Sequence, residues 1–140
     1  MKNNSNIMIY IIMENKTLYY LVDIDNIGYN SLLNIPDNAN VMIFGSLNVA
    51  YKIKPDIIQK IINWSRNTYF QQVFVPDKIR MKNATDFIMY FYAGSISNQY
   101  KDDKENIELV ICSNDKDFLL LHNILQNLGY KVYIYSASYL

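Results

Sequence analysis

The chain has 140 residues, 51% hydrophobic, 19% charged and 14% aromatic, a balance that builds one packed core and excludes a disordered segment. Thirteen Lys and Arg offset thirteen Asp and Glu, so no global basic charge announces a nucleic-acid partner, and any such partner must be held by a local patch. The single cysteine, Cys112, and the single histidine, His122, exclude a disulfide framework and a Cys/His zinc cage, and a reducing cytoplasm is the expected compartment.

Residues 1–17 read as an N-terminal extension or an added strand ahead of one domain over residues 18–140. Lys2 precedes a short apolar stretch from Ile7 to Met13, stopped by Glu14 and Lys16. That stretch falls well short of the ~18 residues that span a bilayer, and no small-residue cleavage site follows it, so neither a membrane span nor a secretory signal is expected. Met13 offers an alternative start.

Leu18 to Asp23 is a continuous run of β-branched, aromatic and aliphatic residues, the pattern of a strand buried on both faces. Similar runs recur at Asn40 to Phe44, Gln72 to Val75, Glu108 to Cys112 and Lys131 to Tyr135. Helical spacing is weak over Asn30 to Asn34 and clear over Pro55 to Thr68, Ala84 to Asn98 and Lys116 to Leu128. Pro55 suits a first helical turn, Asn83 and Asp115 suit caps, and Gly129 suits a helix stop. Five strands alternating with helices predict a doubly wound α/β domain with a mainly parallel sheet and helices on both faces. The polar stretch Gln99 to Asn106 reads as a solvated connection.

In open parallel sheets ligands bind beyond the carboxyl ends of the strands, where the strand order reverses. The segments that follow the first and fourth strands are both acidic: Asp23-Ile24-Asp25-Asn26, and Ser113-Asn114-Asp115-Lys116-Asp117-Phe118. Asp86 opens a helix whose other members are nearly all apolar. If Asp23, Asp86, Asp115 and Asp117 meet in one crevice, each pair ~4 Å apart repels by roughly 4 kcal/mol at an effective dielectric near 20, and a cation is the natural resolution. Oxygen donors without histidine or thiolate favour Mg²⁺ or Mn²⁺, and with them phosphodiester or phosphoryl chemistry. Each acid also has a structural role open to it: Asp115 as an N-cap, Asp117 and Asp86 as first-turn dipole partners.

These motifs resemble the PIN-like nucleases, including the NYN branch, from about Leu18 to Ser136. The resemblance is carried by a strand ending in D-x-[DE]-N (Asp23, Asp25, Asn26), a strand leading into Phe44-Gly45-Ser46, a K-N-A-x-D-F segment (Lys82, Asn83, Ala84, Asp86, Phe87) and an S-x-D-x-D-F segment (Ser113, Asp115, Asp117, Phe118). It implies a Rossmann-like sheet ordered 3-2-1-4-5 and a divalent-metal endonuclease site for RNA, with DNA second. Asp23, Asp86 and Asp115 become the principal acids, Asp117 completes the metal cluster, and Asp25 is a second-tier acid. Asn26 and Ser113 hydrogen-bond the carboxylates or a phosphate, and Asn83 and Lys82 stand on the substrate side. Relatives often pair, so a homodimer is a further expectation.

Around these motifs, Lys78, Arg80 and Lys82 precede Asp86 as alternating cations that could track a phosphate backbone, with Lys52 and Lys54 as weaker candidates. Tyr51, Tyr69 and Tyr100 are candidates for stacking on splayed bases. His122 and Cys112 read as packed side chains, and Ile57, Ile58, Ile61, Ile62 and Trp64 as the inner face of a helix. Three other readings compete. Asp23-Ile24-Asp25 also fits a haloacid-dehalogenase-like phosphatase with Ser46 as its second-motif hydroxyl, but Ile27 stands where that motif usually has Thr or Val, and little chain remains for a cap. A receiver-type signalling domain would use Asp77, yet lacks a Lys-Pro pair after the fifth strand. The third is a PIN-like fold that binds nucleic acid or protein without cutting.

Overall fold

The computed structural model describes residues 16–46, 53–75 and 83–136. Five strands form one parallel sheet in the order β3-β2-β1-β4-β5, with β1 at Thr17–Asp23, β2 at Asn40–Ser46, β3 at Phe70–Val75, β4 at Ile107–Cys112 and β5 at Lys131–Tyr135. Each expected strand is present, extended by one or two residues at one end in four of the five. Central strands covered on both faces need no polar alternation, which is why the sequence marks them as unbroken apolar runs.

Between the strands lie α1 (Ile24–Ile27), a 3-10 turn (Tyr29–Asn34), α2 (Pro55–Asn67), α3 (Ala84–Gln99), a second 3-10 turn (Lys104–Asn106) and α4 (Phe118–Asn127). One face of the sheet packs Leu21, Phe44 and Ile111 against Met89 and Ala93 of α3 and Phe118 and Leu121 of α4. The other packs Val22, Ile43 and Val110 against Leu32 of the 3-10 turn and Ile57 and Trp64 of α2. The chain thus leaves β1 for β2 on one side and β4 for β5 on the other, with β1 and β4 as neighbours. Their junction is the point of strand-order reversal.

Punctuation explains the helix limits. Pro55 occupies the first turn of α2, where no N–H is required of it. After α4, Gly129 takes φ +95°, and the Gly129 and Tyr130 N–H groups bond back to the Gln126 and Leu125 carbonyls, closing the orphan acceptors as a Schellman turn. Trp64 is fully buried and its indole N–H donates to the Pro36 carbonyl at 3.0 Å.

Some expectations are corrected. Asn30 to Asn34 is a 3-10 turn rather than a weak α-helix. Ile58 and Ile62 of α2 are 45% and 37% exposed, because only the i, i+4, i+7 set of Ile57, Ile61 and Trp64 shares the sheet-facing side. Asn83 precedes α3 in the left-handed region at φ 67° and makes no side-chain cap bond; Asn tolerates that conformation, and the turn there uses it instead of a cap. The N-terminal extension up to residue 15, together with Tyr51, Lys52, Asp77, Lys78, Arg80 and Lys82, lies outside the described residues. Among the described residues no helix is long and apolar enough to cross a membrane.

Candidate active site

Three carboxylates converge at the carboxyl edge of the sheet. Asp86 stands in the first turn of α3, Asp115 and Asp117 lie in the turn between β4 and α4, and one carboxylate oxygen from each lies within 4.8 Å of the others. Ligands on opposite sides of a hard dication with ~2.1 Å bonds lie ~4.2 Å apart, so small side-chain movements bring these oxygens to bonding distance. The donor set is oxygen only, and its residues fit Mg²⁺ or Mn²⁺ better than a softer ion.

Asp23, the last residue of β1, lies behind this trio. It is 5% exposed, and its Oδ2 accepts the Ser113 hydroxyl at 2.9 Å. Burial pushes its carboxyl up from the ordinary value; the Asp25 and Asp115 charges add to that, while Ser113 and the Asn26 N–H oppose it. Asp86 is pushed up to about 6, first by burial and then by Asp115 and Asp23, with a hydrogen bond to Asp115 and the Asp117 charge adding to it. Crowding of this kind, which disfavours the charged form of an acid, is what a cation relieves.

A lattice of hydrogen bonds holds the post-β4 turn. The Asp115 N–H donates to Ser113 Oγ at 3.1 Å, and the Asp117 N–H donates to Asp115 Oδ1 at 3.0 Å. Asp115 is therefore not the N-cap expected from sequence: the N-cap of α4 is Asp117, which makes no side-chain cap bond, and Asp115 instead closes a turn just ahead of the helix while its carboxylate belongs to the acidic trio. Asn26 Oδ1 accepts the Asn114 N–H at 2.8 Å, and the Ser136 hydroxyl donates to Asn114 Oδ1 at 2.6 Å. The ends of β1, β4 and β5 are tied together in this way.

Several expected site residues take different places. Ser113, expected toward the substrate, is 1% exposed, so it acts on Asp23 from within. Asn26 is exposed but its amide oxygen bridges to the Asn114 turn. Asp25 is exposed on α1, with its carboxyl over Gly45; a Cβ at Gly45 would meet Ile24 Cγ2 at 2.7 Å and Asp25 Oδ1 at 3.0 Å. Tyr69 precedes β3 and Tyr100 follows α3, so both belong to the amino edge of the sheet, opposite the acids, and neither reaches a base bound there. Lys54 is exposed just ahead of α2.

Asp86 and Asp117 of the trio line a cleft of about 470 Å³. Asn83, Asp86, Phe87 and Tyr90 form the α3 wall, and Lys116, Asp117 and Leu120 form the α4 wall. Phe87, Tyr90, Lys116 and Leu120 went unassigned in the sequence. Tyr90 was findable, since it lies one helical turn after Asp86 on the same face. Its hydroxyl donates to the Asp117 carbonyl at 2.6 Å. Burial raises this phenol above its ordinary value, the Leu121 backbone opposes the rise, and the surrounding carboxylates add to it.

A doubly wound sheet with acids gathered at its reversal point places them where open α/β sheets bind ligands. The chain belongs to the PIN domain family, whose model matches residues 17–134; PIN domains are in general nucleases. None of the curated proteins matches the chain. Among solved structures, a protein of unknown function from Vibrio parahaemolyticus is similar at 18% identity and TM-score 0.53, covering 90% of this chain and 84% of that one. A ferredoxin-NADP+ reductase from Plasmodium falciparum is similar at 14% identity and TM-score 0.52, covering 89% of this chain and 55% of that one. The chain therefore spans about half the length of the reductase. Both likenesses concern the fold alone.

Proposed function

We propose that this chain is a divalent-metal-dependent endonuclease, of the NYN branch of PIN-like proteins, that hydrolyses phosphodiester bonds in RNA. The observation that supports it is the meeting of Asp86, Asp115 and Asp117 within 4.8 Å, backed by Asp23, from three distant stretches of chain. Asp86, Asp115 and Asp117 are the residues to hold Mg²⁺ or Mn²⁺, and Asp23 supplies further negative potential from behind. When bound, such a cation lowers the pKa of water and stabilises charge on phosphoryl oxygens.

The chain's own groups do the rest. Asp86, pushed up to about 6 by burial and by the neighbouring acids, gives up its proton before it serves as a donor. The Asp117 N–H and the Ser113 hydroxyl fix the Asp115 and Asp23 carboxylates in place. Lys116, in the same cleft, offsets phosphate charge. Water attacks phosphorus and releases a proton to solvent, the P–O bond to the leaving ribose oxygen breaks, and that oxygen takes up a proton from solvent.

A haloacid-dehalogenase-like phosphatase would need Asp23 as an exposed nucleophile, whereas Asp23 is 5% exposed and engaged by Ser113. The direct test incubates purified protein with single-stranded RNA and Mn²⁺, with and without chelator. Cleavage should stop with chelator and in Asp23→Asn and Asp115→Asn. Cleavage that persists in both variants contradicts the proposal, as does phosphatase activity on a small ester without RNA cleavage.

A further inference from the structure

The wall of the cleft beside the acids carries bulky apolar groups facing water. Phe87, next in sequence to Asp86, is 60% exposed, and Leu120 on the facing helix is 61% exposed. Apolar groups on both walls of an acidic cleft suit an occupant with apolar faces. Between them Tyr90 is held at both ends. Its hydroxyl bonds the Asp117 carbonyl at 2.6 Å, and its ring stacks on buried Phe118 with centroids 5.9 Å apart and planes at 24°. Lys116 places a cation in the same cleft.

Such an occupant is flat and apolar on its faces, carries an anion for Lys116 and the dication site, and lies beside the acids. An unpaired nucleobase attached to its phosphate has all three properties, whereas a base inside a duplex has its faces taken by neighbours. We infer that Phe87 and Leu120 clamp the unpaired base next to the scissile phosphate. Phe87 takes the stacking role for which Tyr69 and Tyr100 stand at the wrong edge. The inference rests on the reading of the acids as a phosphodiester site.

The test uses the full chain with Ca²⁺ in place of Mn²⁺ and a short oligoadenylate carrying one 2-aminopurine, followed by fluorescence quenching and anisotropy. Phe87→Ala should weaken single-strand binding about tenfold, the size of one stacked base, and abolish the quench. Phe87→Trp should restore both, and binding of the matching duplex should not change. Because the side chain is exposed, melting temperatures should stay level and verify folding. Single-strand binding that Phe87→Ala leaves intact overturns the clamp while the nuclease reading stands. Absence of any oligonucleotide binding removes both. A Phe87→Ala effect seen only on self-association in sedimentation assigns the face to a second copy of the chain and overturns the clamp.

Discussion

The Ser113 hydroxyl donates to the Asp23 carboxylate at 2.9 Å across 90 residues of sequence, joining the end of β1 to the residue after β4. A buried carboxylate needs such a partner, because burial alone drives it toward its neutral form. Removing the donor while leaving the acid exposes that cost. Ser113→Ala should destabilise the protein by about 1–3 kcal/mol near neutral pH, the range for losing a bond to a buried charged group. Urea unfolding measures it; an unchanged midpoint would show that the bond does not anchor Asp23.

Gly45 has no room for a side chain, since its Cβ would stand 2.7 Å from Ile24 Cγ2, and Ile24 is only 2% exposed. Gly45→Ala must displace the turn bearing Asp25 and Asn26. The expected cost is about 1–3 kcal/mol, typical of overpacking, together with lost RNA cleavage although no acid has changed. Denaturation and cleavage assays read the two effects; full activity with unchanged stability would contradict the packing argument.

The pH dependence of the metal-free protein follows from Asp86, raised from 3.8 to about 6 in the fold. Between those values the folded state keeps a proton that the unfolded state has lost, so this group's stabilising contribution is full below the lower value and disappears as pH rises through about 6. Asp23 is shifted in the same direction. Asp86→Asn should therefore raise the melting temperature at pH well above 6 and leave it nearly unchanged near pH 4, in chelator. Equal effects at both pH values would rule out crowding of the acids as the cause.

Cys112 ends β4 at 1% exposure, and burial pushes its thiol up to about 12. A thiol so placed is neither ionised nor reachable near neutral pH. A disulfide reagent should leave the native protein unlabelled and modify one thiol per chain after unfolding in urea. Rapid labelling of the native state would place this strand end at the surface.

The strands and the gathering of acids at one edge of the sheet were legible because both depend on patterns the sequence carries directly, whereas the strand order followed only from the resemblance of the motifs to a known family. Strands buried on two faces write themselves as apolar runs, and residues following strands at a reversal point share one edge of the sheet. Depth was not legible. Nothing in S-x-D-x-D-F distinguishes Ser113, sealed beneath Asp23, from Asp117 at the surface, since burial there depends on how the β5 end and α1 cover the turn. Short backbone features were also hidden: Asp-Ile-Asp-Asn-Ile is too brief to show a helical period, and Asn83 suits a cap or a left-handed turn equally well. Tyr69 and Tyr100 misled because composition marks stacking groups without saying at which edge of the sheet they stand, and only helix spacing from Asp86 points to Tyr90.

Manganese binding itself, read as loss of the free-ion electron paramagnetic resonance signal on adding protein near neutral pH, tests the acidic centre most directly. The expected result is saturable binding in the wild-type chain that is lost or strongly weakened in Asp115→Asn and Asp86→Asn, both variants remaining folded. Manganese that stays free at millimolar concentrations, or binds equally well without Asp115 and Asp86, would contradict the account.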